Sequence, residues 1–354
     1  WQIEQAITMF NSLNSTGMPL SDADIISAQL YSKSGTDKQD FNEQWENINK
    51  LANELNTRRI VNIDAVLQQF MYINRAVNKE YIKDSSVDVT TPGLRRYYTD
   101  IRKELLNDPI KLCENLYKIT IIWDKIKDYP IVKLLLKCNE NAKLYLSSYL
   151  YRFETQDVSE SNVSDICQCL LRLFTLLELV DVGYSSSKFK TFLFSENIKL
   201  VDKAVSIETI KINFNDHIRK NWNEQDITEA ISGYDKNLLV YINEFLYAQS
   251  KGLKFDFDDN VNIEHIMPAS GNNISTIRED ARISDKEEFS MIVNKLGNKI
   301  LLEEKINKSI GNKDSKYAIA VALTSYPSDI WTKDDIDTAT NKGIERIVDF
   351  IFDK

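Results

Sequence analysis

Histidine is the scarcest side chain here: the 354 residues contain two, His217 and His265. A group whose unperturbed pKa of about 6.5 lets it take a proton near neutral pH can therefore come from few places. The four cysteines, Cys113, Cys138, Cys167 and Cys169, form no Cys-x-x-Cys pair and have no histidine close in sequence. That spacing supports neither a zinc knuckle nor a disulfide framework, and it predicts reduced thiols buried among helix residues. No run of about 18 apolar residues is free of charges, which excludes a membrane partner of the helix-spanning kind. Nor does the start show a basic segment, an apolar stretch and a small-residue cleavage site. The chain reads as soluble and cytoplasmic. Trp1 stands where an initiator Met would, so the expectation is a piece of a longer protein. A formal net charge of -9 argues against a general basic coat for nucleic acid, while a local positive surface is still compatible with it.

The length predicts two or three domains, each able to bury a core. The breakers are few, with 10 glycines and 6 prolines, and they fall between long helical patterns. Near the start, Gly17 marks a turn, and Ser21 followed by Asp24 resembles a capping box with Asp in place of Glu, so a helix should begin near Ser21 and run through Ile25, Ile26 and Leu30. Beyond it, apolar residues recur at helical spacing, as in Phe41, Trp45, Ile48, Leu51 and Leu55, or Ile166, Leu170, Phe174, Leu177 and Val180. Breaks are expected at Asp84 to Gly93, Asn107-Asp108-Pro109, Asp128-Tyr129-Pro130 and Gly183 to Ser187. Residues 36–250 are read as an all-helical domain without a fixed repeat period. Its tyrosines, among them Tyr97, Tyr98, Tyr145, Tyr149 and Tyr151, could stack on bases, but their helical spacing favours packing.

The texture changes after Gly252. Phe255, Phe257, Val261, Ile263 and Ile266 predict a strand or two leading into His265, Ser284 to Asn294 a short helix, Lys299 to Leu302 a second strand, and Glu303 to Asn312 a helix. The fold class expected is thus mainly α, a multi-helix domain followed by an α+β domain. Between Lys295 and Lys316 six lysines (295, 299, 305, 308, 313, 316) face Glu303, Glu304 and Asp314, a locally basic stretch that is either a nucleic-acid surface or a solvated helix face.

Phosphodiester hydrolysis needs a base to activate water and a cation to neutralise charge on the phosphate and the leaving oxygen. His265 is the candidate base, the alternative being a hydrogen-bonded structural histidine at a strand end. Glu264 precedes it, but strand neighbours point to opposite faces, so both would enter one cleft only through a bend or bulge. Gly297-Asn298 could be simple turn chemistry, and Asn307 a helix-surface residue. His217 lies in a helical stretch without a partner motif and reads as structural.

Ile263-Glu264-His265-Ile266-Met267-Pro268, Leu296-Gly297-Asn298-Lys299-Ile300-Leu301-Leu302, Asn307, Asn312, Lys313 and Lys316, with Trp331 and a helix from Asp334 through Ile344 and Arg346, resemble the HNH-type (His-Me finger, ββα-metal) nuclease domain of the DUF1524 family. Phe10, Asn14, Gly17, Leu20, Ser21 and Asp24 resemble the motif that ends the ParB-like domain of DUF262 proteins. Together they are similar to the Gmr-type modification-dependent restriction enzymes. The resemblance implies three regions: residues 1–35, a remnant of the ParB-like domain; 36–250, the helical domain; and 251–354, the nuclease. It implies that His265 activates water, Glu264 is a ligand of a single Mg²⁺ or Mn²⁺, Asn307 stands on that metal or on the scissile phosphate, and Asn298 fixes the loop and orients His265. Asn312, Lys313 and Lys316 would approach the DNA backbone. Asn14 and Gly17 either belong to a nucleotide pocket or only shape a turn. The Asp-Gly-Gln-Gln-Arg nucleotide motif is absent, so a nucleotide triphosphate is expected to act only in the full-length protein. The expected partner is DNA, modified or foreign, with a homo-oligomer left open. A reading of another class makes the helices a recognition module for modified DNA or a partner protein, with a silent nuclease fold.

Overall fold

The computed structural model describes residues 20–181, 183, 186–258, 260–270, 274–303 and 332–354. Asn14, Gly17, Asn307, Asn312, Lys313, Lys316, Trp331 and the helix expected from Glu303 to Asn312 lie outside them, apart from Glu303 itself, which ends a strand. The described chain is mainly helical and divides into two compact units, Trp1–Leu170 with Val182–Asn213, and Leu171–Asp181 with Phe214–Lys354.

In the first unit Ser21 caps helix α1 (Asp22–Lys33). Its hydroxyl accepts from the Asp24 amide at 3.1 Å and the Asp24 carboxylate accepts from the Ser21 amide at 2.9 Å, so the shorter Asp completes the reciprocal box. Ile26 and Leu30 on its inner face are fully buried. Helices α2 (Lys38–Thr57) and α3 (Ile63–Val77) follow, the latter capped by Asn62. A small hairpin of β1 (Ile82–Lys83) and β2 (Ser86–Val87) then interrupts the expected all-helical region. It turns on Asp84 and Ser85, both at positive φ (47° and 66°). Helices α4 (Pro109–Ile126) and α5 (Pro130–Cys138) each start on proline, where the missing amide donor has no helical partner to lose. Helix α6 (Ala142–Tyr151), the N-terminal part of α7 (Glu160–Leu179) and α8 (Ser187–Val201) also belong to this unit.

The tyrosines are packing residues. Tyr97, Tyr98, Tyr145 and Tyr149 are buried; Tyr98 donates to the Leu67 carbonyl at 2.8 Å and Asn74 donates to the Tyr97 hydroxyl at 2.7 Å. The cysteines are free thiols, with Cys113, Cys167 and Cys169 buried, and burial pushes the Cys113 thiol up to about 12.

The second unit takes up most of helix α9 (Ile207–Asn221), then α10 (Glu224–Ser232) and α11 (Leu238–Lys251). Gly252, at φ +63°, ends α11 in the left-handed conformation that glycine adopts without a Cβ penalty. Phe255 and Phe257, expected in a strand, lie in irregular chain instead. Their rings sit against α11, with centroids 5.4 Å from Phe245 and 5.1 Å from Tyr241. One strand, β3 (Val261–His265), leads to the histidine, followed by α12 (Ile274–Asp280), α13 (Lys286–Val293), β4 (Lys299–Glu303) and α14 (Lys333–Phe352). Asp285 caps α13, and Thr332 with Asp335 forms a second reciprocal box on α14. Ile266, Met267, Phe289, Ile292, Ile300 and Ile336 form the core that joins the hairpin to α13 and α14. His217, on α9, packs edge-on to Trp222 at 5.7 Å, in keeping with a structural role.

Burial pushes the Glu244 carboxyl on α11 up to about 7, against the pull of the Arg346 guanidinium on α14. Arg346 is itself engaged by Asn243 and lies 5.2 Å from the Tyr247 ring. A carboxyl held above its unfolded value of 4.5 favours the folded state fully below that pH, and the advantage is lost as pH rises through about 7. The second unit is therefore expected to lose roughly 3 kcal/mol between pH 4.5 and pH 8 from this group. Glu244→Gln should flatten that dependence in urea titrations; an unchanged pH slope would contradict it.

Candidate active site

Strands β3 and β4 pair antiparallel in unbroken register from Val261 opposite Glu303 to His265 opposite Lys299. Opposed residues share a face and successive ones alternate. Glu264 thus sits opposite the fully buried Ile300, on the face that carries the core, and His265 shares the other face with Lys299. The chain bends at Ile266 and Met267, after His265, and the strand holds no bulge between the two residues. The hairpin does not by itself turn Glu264 and His265 into one cleft.

Asn298 explains the bend. It is fully buried, and its backbone carbonyl accepts from the Ile266 amide at 2.9 Å. Its side-chain Oδ1 accepts from the Met267 amide at 2.7 Å, while Nδ2 donates to the Met267 carbonyl at 3.0 Å and the Val293 carbonyl at 2.8 Å. One amide side chain satisfies three backbone groups that water cannot reach. Asn298 therefore holds the two residues after His265.

The amide at the imidazole itself belongs to a residue that no motif marks. Asn294, the C-cap of α13, has its Oδ1 3.3 Å from His265 Nε2. Its Nδ2 donates to the Ser290 carbonyl at 2.8 Å, which fixes which end of the amide faces the ring. An acceptor at Nε2 requires the proton there and leaves Nδ1 as the lone-pair nitrogen. His265 is half-buried and terminates its strand.

Gly297 is not placed for turn chemistry. Its amide donates to Thr340 Oγ1 on α14 at 3.0 Å, and a Cβ would lie 2.3 Å from the Thr340 nitrogen and 2.6 Å from the Ile336 oxygen. Both are helix backbone, so the glycine is required by close approach. Gly297→Ala is expected to destabilise the second unit by about 3 kcal/mol, read as a lower midpoint in urea; a midpoint within error of the unchanged chain would refute this.

Of the six lysines of the basic stretch, Lys295 and Lys299 lie among the described residues. Lys295 pairs with Asp337 at 2.6 Å. Lys299 is 8% exposed, and its side-chain amine makes no hydrogen bond or ion pair with the described residues. Burial lowers the pKa of its amine, with Asp235 pulling the other way. Among the described residues no three His, Cys, Asp or Glu side chains cluster as metal ligands, and no helix is long and apolar enough to cross a membrane.

Residues 201–341 match the family described as GmrSD restriction endonucleases, C-terminal domain. The match takes in α10 to α13, both strands of the hairpin and the start of α14, with His265, Asn294, Gly297 and Asn298. Like the second compact unit, it begins well before residue 251. It points to a restriction-endonuclease-like role, a nuclease with DNA as substrate. No curated protein matches the chain.

Proposed function

We propose that this chain, matched over residues 201–341 to a restriction-endonuclease domain, is a metal-dependent DNA endonuclease of the HNH type. The observation that carries the reading is the setting of His265, whose Nε2 faces the Asn294 amide oxygen, an arrangement that puts the ring proton on Nε2 and makes Nδ1 the basic nitrogen. Nδ1 takes a proton from water as the water oxygen forms a bond to phosphorus; the bond from phosphorus to the leaving oxygen breaks, yielding two DNA ends. Asn294 holds the tautomer and angle of the ring. Asn298 keeps the bend after His265 from collapsing onto it.

The oxygen donors of Glu264 and Asn307 suit Mg²⁺ or Mn²⁺, which would neutralise charge on the phosphate and the leaving oxygen. The alternation in β3 puts Glu264 on the far face from His265, so the fit rests on donor chemistry. Asn312, Lys313 and Lys316 approach the DNA backbone. Residues 1–35 belong to a ParB-like fold in which Asn14 and Gly17 border a nucleotide pocket, and the substrate is foreign or modified DNA.

Purified protein incubated with supercoiled plasmid and Mg²⁺ or Mn²⁺ is expected to give nicked or linear product, and none with chelator. Absence of product with either metal, on modified and unmodified plasmid alike, would overturn the proposal.

A further inference from the structure

Behind the hairpin, within the second unit, a cleft of about 480 Å³ is lined by residues from α10, α11, α13, β4 and α14 and the turns beside them. That volume is within the range of small-molecule sites, roughly 300–1,000 Å³. It shares Asn294 with His265, and Lys299, the cross-strand neighbour of His265, is also in its wall.

Its chemistry is mixed in a specific way. Leu239 and Leu296 contribute apolar walls. Lys299, more than nine-tenths buried and with its side-chain amine lacking a hydrogen-bond or ionic partner among the described residues, brings an amine donor, and Asp235 brings an acceptor of opposite charge. The other two lysines of the lining are already neutralised, Lys236 by Glu178 at 2.7 Å and Lys295 by Asp337 at 2.6 Å. A phosphodiester offers acceptors alone, is repelled by Asp235 and gains nothing from apolar walls. A heteroaromatic base has apolar faces and an edge of alternating donors and acceptors. At the cleft Met291 is 66% exposed, an apolar side chain of the kind that enters a base stack when a base leaves it.

We infer that this cleft receives a single nucleobase turned out of the duplex beside the bond that the water activated by His265 attacks, with Lys299 and Asp235 reading its edge. The inference rests on the endonuclease reading for its choice of DNA. It gives the nuclease unit a base-reading element of its own, separate from any recognition elsewhere in a longer protein. Extrusion costs a few kcal/mol and least for a mismatched or damaged base, so the cleft would also favour bases already weakly paired.

The test uses short duplexes carrying 2-aminopurine at successive positions, bound by the full chain in the His265→Ala background, with cleavage mapped on the unsubstituted chain. The expected result is a several-fold rise in fluorescence at one position, lost in Lys299→Met. It should be lost equally in Ser232→Trp, which fills the cleft from an exposed position without touching the core. Cleavage with no position-specific rise overturns the inference and leaves the endonuclease reading standing. A rise retained in both variants also overturns it, as does a rise retained in Lys299→Met whose binding has lost salt dependence, since Lys299 would then serve a phosphate. A position-specific rise without cleavage by the unsubstituted chain supports the cleft and sinks the endonuclease reading; neither signal overturns both.

Discussion

His265→Ala is expected to abolish plasmid nicking while leaving the far-ultraviolet circular dichroism and the urea midpoint of the second unit close to those of the unchanged chain. The separation of the two effects follows from where the ring sits. His265 is half-buried at the end of β3, and its hydrogen bond to Asn294 is long at 3.3 Å. Truncation of a half-buried side chain with so long a hydrogen bond forfeits little packing, and the stability cost should stay within about 1 kcal/mol. A general base contributes roughly 10²–10⁴-fold to rate, enough to take a slow nuclease below detection. The only other histidine, His217, packs against Trp222 on α9, so the chain has no second imidazole to substitute for it. Equal nicking by the variant would remove His265 from the mechanism. Loss of nicking together with a collapsed urea midpoint would return it to the role of a structural histidine.

What could be read from the sequence was chemistry confined to neighbours. Ser21 and Asp24 announce the start of α1 because both halves of the box lie within one turn. The short helix between Ser284 and Asn294 and the strand at Lys299 are legible in the same local way. The hairpin at 82–87 was not, since its turn places positive φ on Asp84 and Ser85, where Asn-Gly would have signalled it. Phe255 and Phe257 mimic an alternating strand but alternate because each ring meets α11. At the site, His265 and Asn298 stood out by rarity and by motif. Asn294 carried no signal: as the last cap of a short helix it looks like any polar C-terminus, and only the hairpin's return brings the ring to it. Lys299 was read as part of a basic run, whereas the same register that fixes its place opposite His265 buries it.

The converse of the histidine result is expected for Asn298→Ala, which should lose folding and activity together. Its amide is fully buried and serves the Met267 amide, the Met267 carbonyl and the Val293 carbonyl. A buried backbone group left without a partner costs about 1–3 kcal/mol. Three such groups, less what local relaxation and entering water recover, put the loss at roughly 4 kcal/mol, a large part of the roughly 5–15 kcal/mol that holds a domain together. Asn298→Asp discriminates between volume and hydrogen bonding. The carboxylate fills the same space and still accepts from Met267, but it sets oxygen against the two carbonyls that Nδ2 now serves. It should therefore be no better than alanine in urea titrations. A variant that melts normally yet fails to nick would mean that Asn298 acts on the reaction directly; one that nicks normally would mean that the bend after His265 is held by the β3 and β4 backbone alone.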